Sequence, residues 1–412
     1  MFSAVYADAK GNAYVDERHT AVGRTGAYLA ELMAEQLIPL PAGASLALVP
    51  ERGAVGISRQ GKFTPLGTGR WAMAALLPQG YTRLALPAYH GEGEQLPLFG
   101  YTAVAWRNGR FYVAAQQEDD ELHKWDPVNF GTSDLAELVE RRRAACPGNP
   151  IVQQLAHCAL EYGCFTAQNI FYRRFEGGIP VSSTCNAACV GCISEQESEC
   201  CPSPQARIQY VPTLEQAVEV ALPHLEQAED AIISFGQGCE GEPLLRSDLI
   251  ADLIAAVRQR TDRGTINANT NAGLVAGVRR VSAAGIDSLR VSLNSAIPGN
   301  YQAYYRSKSY TISDVRQSIC IAREHGVFVA LNLLAFPGVT DREDELEALI
   351  ELTKDTGVNM VQVRNLNIDP DQYLRLMQHS SGDPYGLEQL AEILTSEIPG
   401  LRVGSFSHPV RR

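Results

Sequence analysis

Nothing in this chain of 412 residues approaches the unbroken apolar run of about 18 residues that crosses a bilayer. Its first residues, "MFSAVYADAKGNAYV", lack the basic stretch followed by an apolar one that marks secretion. A chain with no membrane span and a cytoplasmic location is therefore expected. Positive charge is also short: 35 Lys and Arg against 47 Asp and Glu leave a net charge of −12, which argues against a nucleic-acid partner. No Walker loop, nucleophile elbow or dinucleotide fingerprint is present. Histidines are scattered, with no pair at a metal-ligand spacing, and His325, just before Gly326, sits where it would serve a helix C-terminus. Cysteine, by contrast, is plentiful. Ten cysteines in a chain without an export signal read as reduced thiols and metal ligands rather than a disulfide framework.

With 45% apolar and 20% charged residues the chain is globular, and its length exceeds one ordinary core. Residues 1–125 read as a β-rich domain. "FSAVYADAKGNAYVDE" is a hairpin turning at Lys10-Gly11-Asn12, and "YTAVAWRNGRFYVAA" turns at Asn108-Gly109, a type I′ signal. A helix is expected at 21–36. "QQEDDELHKWDPVNFGTSD" reads as a polar linker, and residues 126–175 as a mainly helical segment carrying Cys146, Cys158 and Cys164.

From residue 176 to about 380 strands and helices alternate, followed by a C-terminal helix and tail at 381–412. Helices are expected to start at Thr213, Ser247, Ser313 and Thr340, the last with Glu343 completing a capping box. Gly264, Gly285, Gly326 and Gly357 each end a helix just before a strand. Strands are expected near 178–183, 231–235, 265–270, 287–293, 327–333 and 359–364, giving a parallel sheet with right-handed crossovers. Side chains alternate between faces along a strand. One face carries Asn267, Asn269 and Asn271, then Arg290, Ser292 and Asn294, then Gln362 and Arg364. A doubly wound sheet wants apolar residues on both faces, so the polar rows favour a partial (β/α)6 TIM-like barrel with a wet lumen.

"STCNAACVGCIS" follows the first of these strands and places Cys185, Cys189 and Cys192 with three and then two residues between them. Three thiolates this close can grip three irons of a 4Fe–4S cluster, leaving the fourth iron open to a small molecule. A closed structural zinc site is the other reading, and it requires a fourth ligand from elsewhere. The loop between a first strand and its helix lies at the barrel rim that carries active sites.

This segment, followed by six strand–helix units over residues 176–380, resembles the radical S-adenosylmethionine (radical SAM) superfamily, most closely the branch containing molybdenum-cofactor biosynthesis and peptide-modifying enzymes. The resemblance implies that the open iron chelates SAM and that an electron from the cluster releases a 5′-deoxyadenosyl radical, which abstracts hydrogen from a substrate. It also implies a flavodoxin or ferredoxin as electron donor and a small-molecule or peptide substrate. "SFGQGCEGEPLL" is similar to the family's Gly-Gly-Glu-Pro turn, with Glu240 in place of one glycine, and it points to Gly241 and Glu242 as the grip on SAM's amino group. Ser292 and Asn294 end the fourth strand, where the family binds SAM's ribose and carboxylate. Asn269, Asn271 and Arg364 face the same lumen, and Arg364 suits a carboxylate. The family often has an aromatic residue before the third cysteine, packed near adenine; here that residue is Gly191.

Cys239 lies inside the Gly-Glu-Pro loop, where a thiol could act catalytically as a hydrogen donor, ligate a metal or simply be buried. Cys146, Cys158 and Cys164 leave room for an auxiliary iron–sulfur cluster lacking a fourth ligand, Cys200 and Cys201 follow the cluster loop, and Cys320 reads as core. The tail lacks the multi-cysteine extension of many peptide-modifying relatives. "YQAYYRSKSY" either lines the substrate mouth or packs on its own barrel. A non-catalytic iron–sulfur protein, carrying electrons or binding a partner, is the alternative to an enzyme.

Overall fold

The computed structural model describes residues 1–91, 93–96, 98–119, 122–195, 205–378 and 382–411. Its N-terminal part is all β. A ten-stranded sheet and a three-stranded sheet are built there, and every pairing in them is antiparallel. Ser3–Ala7 turns back into Ala13–Thr20 around Asp8, whose carboxylate accepts from the backbone N–H of Lys10 (2.8 Å) and Asn12 (3.0 Å). At the turn between Tyr101–Arg107 and Arg110–Gln117, Asn108 (φ 50°) and Gly109 (φ 78°) both take the left-handed conformation that a type I′ turn requires.

The helix expected at 21–36 is absent. Val22–Thr25 and Tyr28–Glu31 instead form a tight hairpin, turning at Gly26. A Cβ at Gly23 would lie 2.5 Å from Leu32 and 2.8 Å from Ala85, so close strand packing claims a segment whose local pattern favoured a helix. The linker is also less polar in role than its composition. Trp125 stacks on Phe406 and Phe130 on Phe165, and both Trp125 and Phe130 are buried. Three helices follow: α1 (Leu135–Ala145), α2 (Pro150–Leu160) and α3 (Phe165–Tyr172).

The rest of the chain forms a seven-stranded parallel sheet in sequential order: β1 (Arg174–Gly178), β2 (Glu229–Phe235), β3 (Thr265–Thr270), β4 (Ser288–Leu293), β5 (Phe328–Ala335), β6 (Met360–Asn365) and β7 (Arg402–Gly404). Between them run α4 (Leu214–Gln227), α5 (Ser247–Arg258), α6 (Val275–Ala283), α7 (Pro298–Tyr305), α8 (Ile312–Glu324), α9 (Glu343–Thr356), α10 (Pro370–Leu376) and α11 (Leu390–Glu397). An order without reversal, joined by crossovers of one hand, keeps the helices on one face and curls the sheet around the other. The result is a half-barrel. On β4, Leu289, Val291 and Leu293 are buried in the core, while Arg290 reaches the Glu176 carboxylate of β1 on the inner face.

Several boundaries depart from expectation. β1 ends at Gly178, because Pro180 has no N–H for the ladder and the N–H groups of Val181 and Ser182 go to Glu240 (2.8 and 3.0 Å). α8 is capped by Thr311 with Asp314, so Ser313 lies inside it. α9 starts at Glu343 after Arg342, because Thr340 is spent on the preceding turn, where its hydroxyl accepts from Phe336 N–H (2.9 Å). Thr213 caps α4 through a capping box, and Ser247 is the first residue of α5. Gly264, Gly285, Gly326 and Gly357 all have positive φ, and His325 is the C-cap of α8. The tail is more than a helix. It adds β7 beside β6, then crosses the floor of the barrel, where Val410 and Arg411 donate to the Thr265 hydroxyl (2.8 and 2.9 Å).

The N-terminal sheets sit on the loops that follow β5 and β6. Gly26 N–H donates to Pro337 O (2.8 Å), Arg52 pairs with Asp369 (2.7 Å) and Arg24 with Asp371 (2.6 Å). The fully buried Arg83 donates to Leu366 O and to Phe99 O (3.0 Å). Those loops belong to the C-terminal rim, so the N-terminal sheets border the barrel mouth. No helix among the described residues is long and apolar enough to cross a membrane.

Candidate functional site

The cysteine loop is held from three sides. From the turn after β2, Gly241 N–H donates to Ser182 O and Glu242 N–H to Thr184 O, both at 2.8 Å. A Cβ on Gly241 would stand 2.0 Å from Thr184 O, so glycine is required here for one loop to lie against the other. From the end of β3, the Asn271 amide donates to Asn186 Oδ1 (2.7 Å). From α7, the carbonyls of Tyr305 and Tyr304 accept from Ala188 and Val190 (3.0 Å each).

Cys185, Cys189 and Cys192 are half-buried on this loop. Burial pushes the Cys185 and Cys189 thiols up, and the neighbouring cysteines add to the rise at both, so the group is mutually close. Metal binding would reverse that protonation. Arg207 lies over the last of the three, with Nη2 3.7 Å from Cys192 Sγ and 3.0 Å from Ser194 Oγ. Among the described residues no three His, Cys, Asp or Glu side chains gather at the distances a single ion needs. A cubane, whose thiolates stand farther apart around three irons, fits this loop better than a closed zinc site.

Glu240 and Glu242 are both buried and do different work. Glu240 Oε2 accepts from Val181 and Ser182, and Oε1 from Gly236 and Gln237 (3.2 Å). It thus ties the end of β2 to the strand leaving β1, and burial raises its carboxyl to about 7 against those four donors. Glu242 Oε1 accepts from Leu244 N–H (3.1 Å) and the Thr270 hydroxyl (2.5 Å), and Oε2 from Asn271 N–H (2.9 Å). A carboxylate has about four acceptor positions, so one remains on Oε2.

The polar rows separate by depth. At the floor, Ser234 donates to Glu176 (2.6 Å), Arg290 pairs with both, and Asn267 lies within hydrogen-bond distance of Ser234 and Ser288 (3.0 and 2.9 Å). Burial would raise the Glu176 carboxyl, but Arg290 holds it below its usual range. Above them Asn269, Ser292, Asn332 and Arg364 are partly exposed, and Asn269 donates to Phe235 O (3.0 Å). Asn294 lies deeper. It is 1% exposed, its amide donates to Asn300 O (3.4 Å) and the Tyr373 hydroxyl (3.3 Å), which ties it to α7 and α10, and its Oδ1 is buried without a hydrogen-bond partner.

Cys239 is redirected. It is buried beside Cys158 of α2, with Cys164 nearby. That engagement with the helical segment does not suit a hydrogen donor to a ligand in the lumen. Cys146 lies by Arg142 and Glu219. Cys320 is only half-buried, and Cys200 and Cys201 lie outside the described residues.

The "YQAYYRSKSY" aromatics pack rather than gape: Tyr301, Tyr304, Tyr305 and Tyr310 are all buried. One of them answers the missing aromatic of the cysteine loop. A Cβ at Gly191 would be 2.8 Å from the Tyr304 hydroxyl, so Tyr304 fills the space beside the third cysteine. Sequence reasoning missed Thr270, Asn186 and Asn332, and it singled out the stretch holding Tyr304 without its place beside Gly191. Asn332 left a signal through its alternation in "FVALNLLA".

The family model described as Radical SAM superfamily matches residues 179–353. A "Probable GTP 3′,8-cyclase" of Methanosarcina acetivorans is 27% identical over 233 residues, covering 55% of this chain and 64% of that protein. "Molybdenum cofactor biosynthesis protein 1" of Mus musculus is 25% identical over 265 residues, covering 62% of this chain and 40% of that protein. The chain thus spans less than two thirds of the length of these curated relatives. Among solved structures, a radical SAM methyltransferase from Sphaerobacter thermophilus aligns at 15% identity with a TM-score of 0.41, covering 65% of this chain and 92% of that one.

Proposed function

On the premise that residues 179–353 of this chain are a radical SAM domain, we propose that it is an enzyme that binds a 4Fe–4S cluster through Cys185, Cys189 and Cys192 and cleaves SAM reductively to abstract hydrogen from a substrate. When bound and reduced, the cluster supplies the electron that breaks SAM's sulfonium bond. The observation that carries this reading is the bracing of the three-cysteine loop by the backbone of Gly241 and Glu242. It puts a half-buried trio of thiols beside a buried carboxylate with one acceptor position to spare, which suits an ammonium group. Asn269 and Ser292, both partly exposed, line the way from there into the lumen in this reading, and Asn271 braces the cysteine loop through Asn186. Tyr304 supplies an aromatic wall where the cysteine loop has Gly191. The Glu240 carboxylate keeps both loops in register.

The cellular electron donor in this reading is a flavodoxin or ferredoxin, and the compartment is the reducing cytoplasm. The substrate is a small molecule or a peptide, admitted past the N-terminal domain that borders the mouth. GTP, which the name of the Methanosarcina relative carries, is the first compound to test. The test is anaerobic reconstitution followed by incubation with SAM and dithionite. 5′-Deoxyadenosine and methionine are expected. Their absence, with the cluster verified by iron content and electron paramagnetic resonance, overturns the enzyme reading in favour of an electron-carrying or partner-binding protein.

A further inference from the structure

Among the described residues, Arg290 and Arg364 enter the barrel, and Arg290 is the one that is satisfied. Arg290 of β4 pairs with Glu176 and donates to Ser234 (2.9 Å). Arg364 of β6 has no hydrogen-bond or ion-pair partner among the described residues. Its neighbours explain why. The two carboxylates whose charge reaches it are Glu176 and Asp119. Glu176 is committed to Arg290 and Ser234, while Asp119 accepts from the backbone of Ser405 and Phe406 (2.7 Å to the latter) and faces His408. Burial and the like charge of Arg290 press on the Arg364 guanidinium, pushing it down to about 10.

An unpaired charge withdrawn from water is costly unless something pairs it. Arg364 is partly exposed on the lumen side, so water can serve it in the free protein. A molecule that fills the lumen displaces that water and must bring its own counter-charge. In the sheet register Arg364 stands opposite Leu334, and the row below it is Ser292, Asn332 and Gln362. Asn332 Oδ1 and Gln362 Oε1 are buried without hydrogen-bond partners. They offer acceptors to a hydroxyl or ammonium next to the anionic group.

We infer that Arg364 is an anion-binding residue of the lumen, taking a carboxylate or phosphate of the small molecule bound there. The inference rests on the reading of this lumen as the chamber for SAM and substrate. Two sources can supply the anion: SAM's own carboxylate, or an acidic substrate. Position favours the substrate. β6 lies four strands from β2, which leads into the Glu242 turn, or about 19 Å measured along the sheet.

The test uses the anaerobically reconstituted full chain and its Arg364→Gln and Arg364→Lys variants. In phosphate-free buffer Arg364→Gln is expected to melt no lower than the wild type, since it removes an unpaired charge. Inorganic phosphate is expected to raise the wild-type melting temperature by about 2 °C or more, to raise that of the Lys variant partly, and to leave Arg364→Gln unmoved. A lower melting temperature for Arg364→Gln without phosphate, or equal phosphate shifts in all three proteins, makes Arg364 structural and overturns the inference. Equilibrium binding of SAM and of decarboxylated SAM then separates the sources. SAM affinity within twofold of wild type in Arg364→Gln assigns the anion to the substrate. A tenfold loss for SAM but not for its decarboxylated analogue assigns it to SAM. Neither readout needs SAM cleavage, so failure here is distinct from failure of the proposed function.

Discussion

Replacing Gly241 by alanine tests whether the cysteine loop and the Gly-Glu-Pro turn are one structural unit. The added Cβ would stand 2.0 Å from Thr184 O, 2.4 Å from Thr184 C and 3.1 Å from Cys185 N. All three are backbone atoms, so no side chain can swing aside, and the loops must part by about 1 Å or more to restore van der Waals contact. That opening stretches the two 2.8 Å bonds from Gly241 and Glu242 out of hydrogen-bond range. Overpacking costs about 1–3 kcal/mol, and each lost hydrogen bond about 1 kcal/mol net. The expected destabilisation is about 3–5 kcal/mol, concentrated at the loop that carries the cysteines. Gly285→Ala is the control. Its Cβ meets nothing within 4 Å, and its φ of 92° adds only the strain of a left-handed residue, about 1–2 kcal/mol. Urea unfolding measures the difference in stability. Iron content after anaerobic reconstitution, with the reduced-state resonance spectrum, reports the cluster. Gly241→Ala is expected to lose most of its iron, and Gly285→Ala to keep it. The reasoning fails if Gly241→Ala unfolds within 1 kcal/mol of the wild type and binds a full cluster.

His224 is buried with Nε2 2.9 Å from Phe175 O, and burial pushes its pKa from 6.5 down to about 4. The folded state refuses a proton that the unfolded chain accepts between those values, so this contribution is complete above pH 6.5 and is lost as pH falls toward 4. It amounts to about 3 kcal/mol, and His224→Gln is expected to flatten the stability–pH curve across that window; parallel curves for the two proteins would refute it. Gly191→Ala is expected to cost about 1–3 kcal/mol through the Tyr304 hydroxyl and to weaken SAM binding. Because that hydroxyl is the close contact, Gly191→Ala combined with Tyr304→Phe should recover most of the loss in a double-mutant cycle. Strict additivity would show that the two residues do not meet.

Much of the barrel was legible because its signals are local. A glycine that ends a helix and a polar residue at every second strand position need no distant partner to be read. The first strand was misplaced because Val181 and Ser182 bond to Glu240, some 60 residues away. The helix expected at 21–36 failed for the same kind of reason, since Leu32 and Ala85 close over Gly23. At the site, the polar row did not disclose that Asn294 turns toward Tyr373 or that the Cys239 thiol meets Cys158 of α2. Parity along a strand says which face a side chain takes, but not which partner it finds.

The sequence by itself determined the spacing of Cys185, Cys189 and Cys192, the order of strands and helices, and the polar inner face of the sheet. Each is a property of neighbours in the chain, set by residue type and periodicity. Only the tertiary structure decided that Gly241 is a spacer between two loops, that Tyr304 fills the space above Gly191, and that Arg290 has its carboxylate while Arg364 has none. Those facts depend on which side chains the curl of the sheet brings across the lumen, and a count of hydrogen bonds closes only in three dimensions.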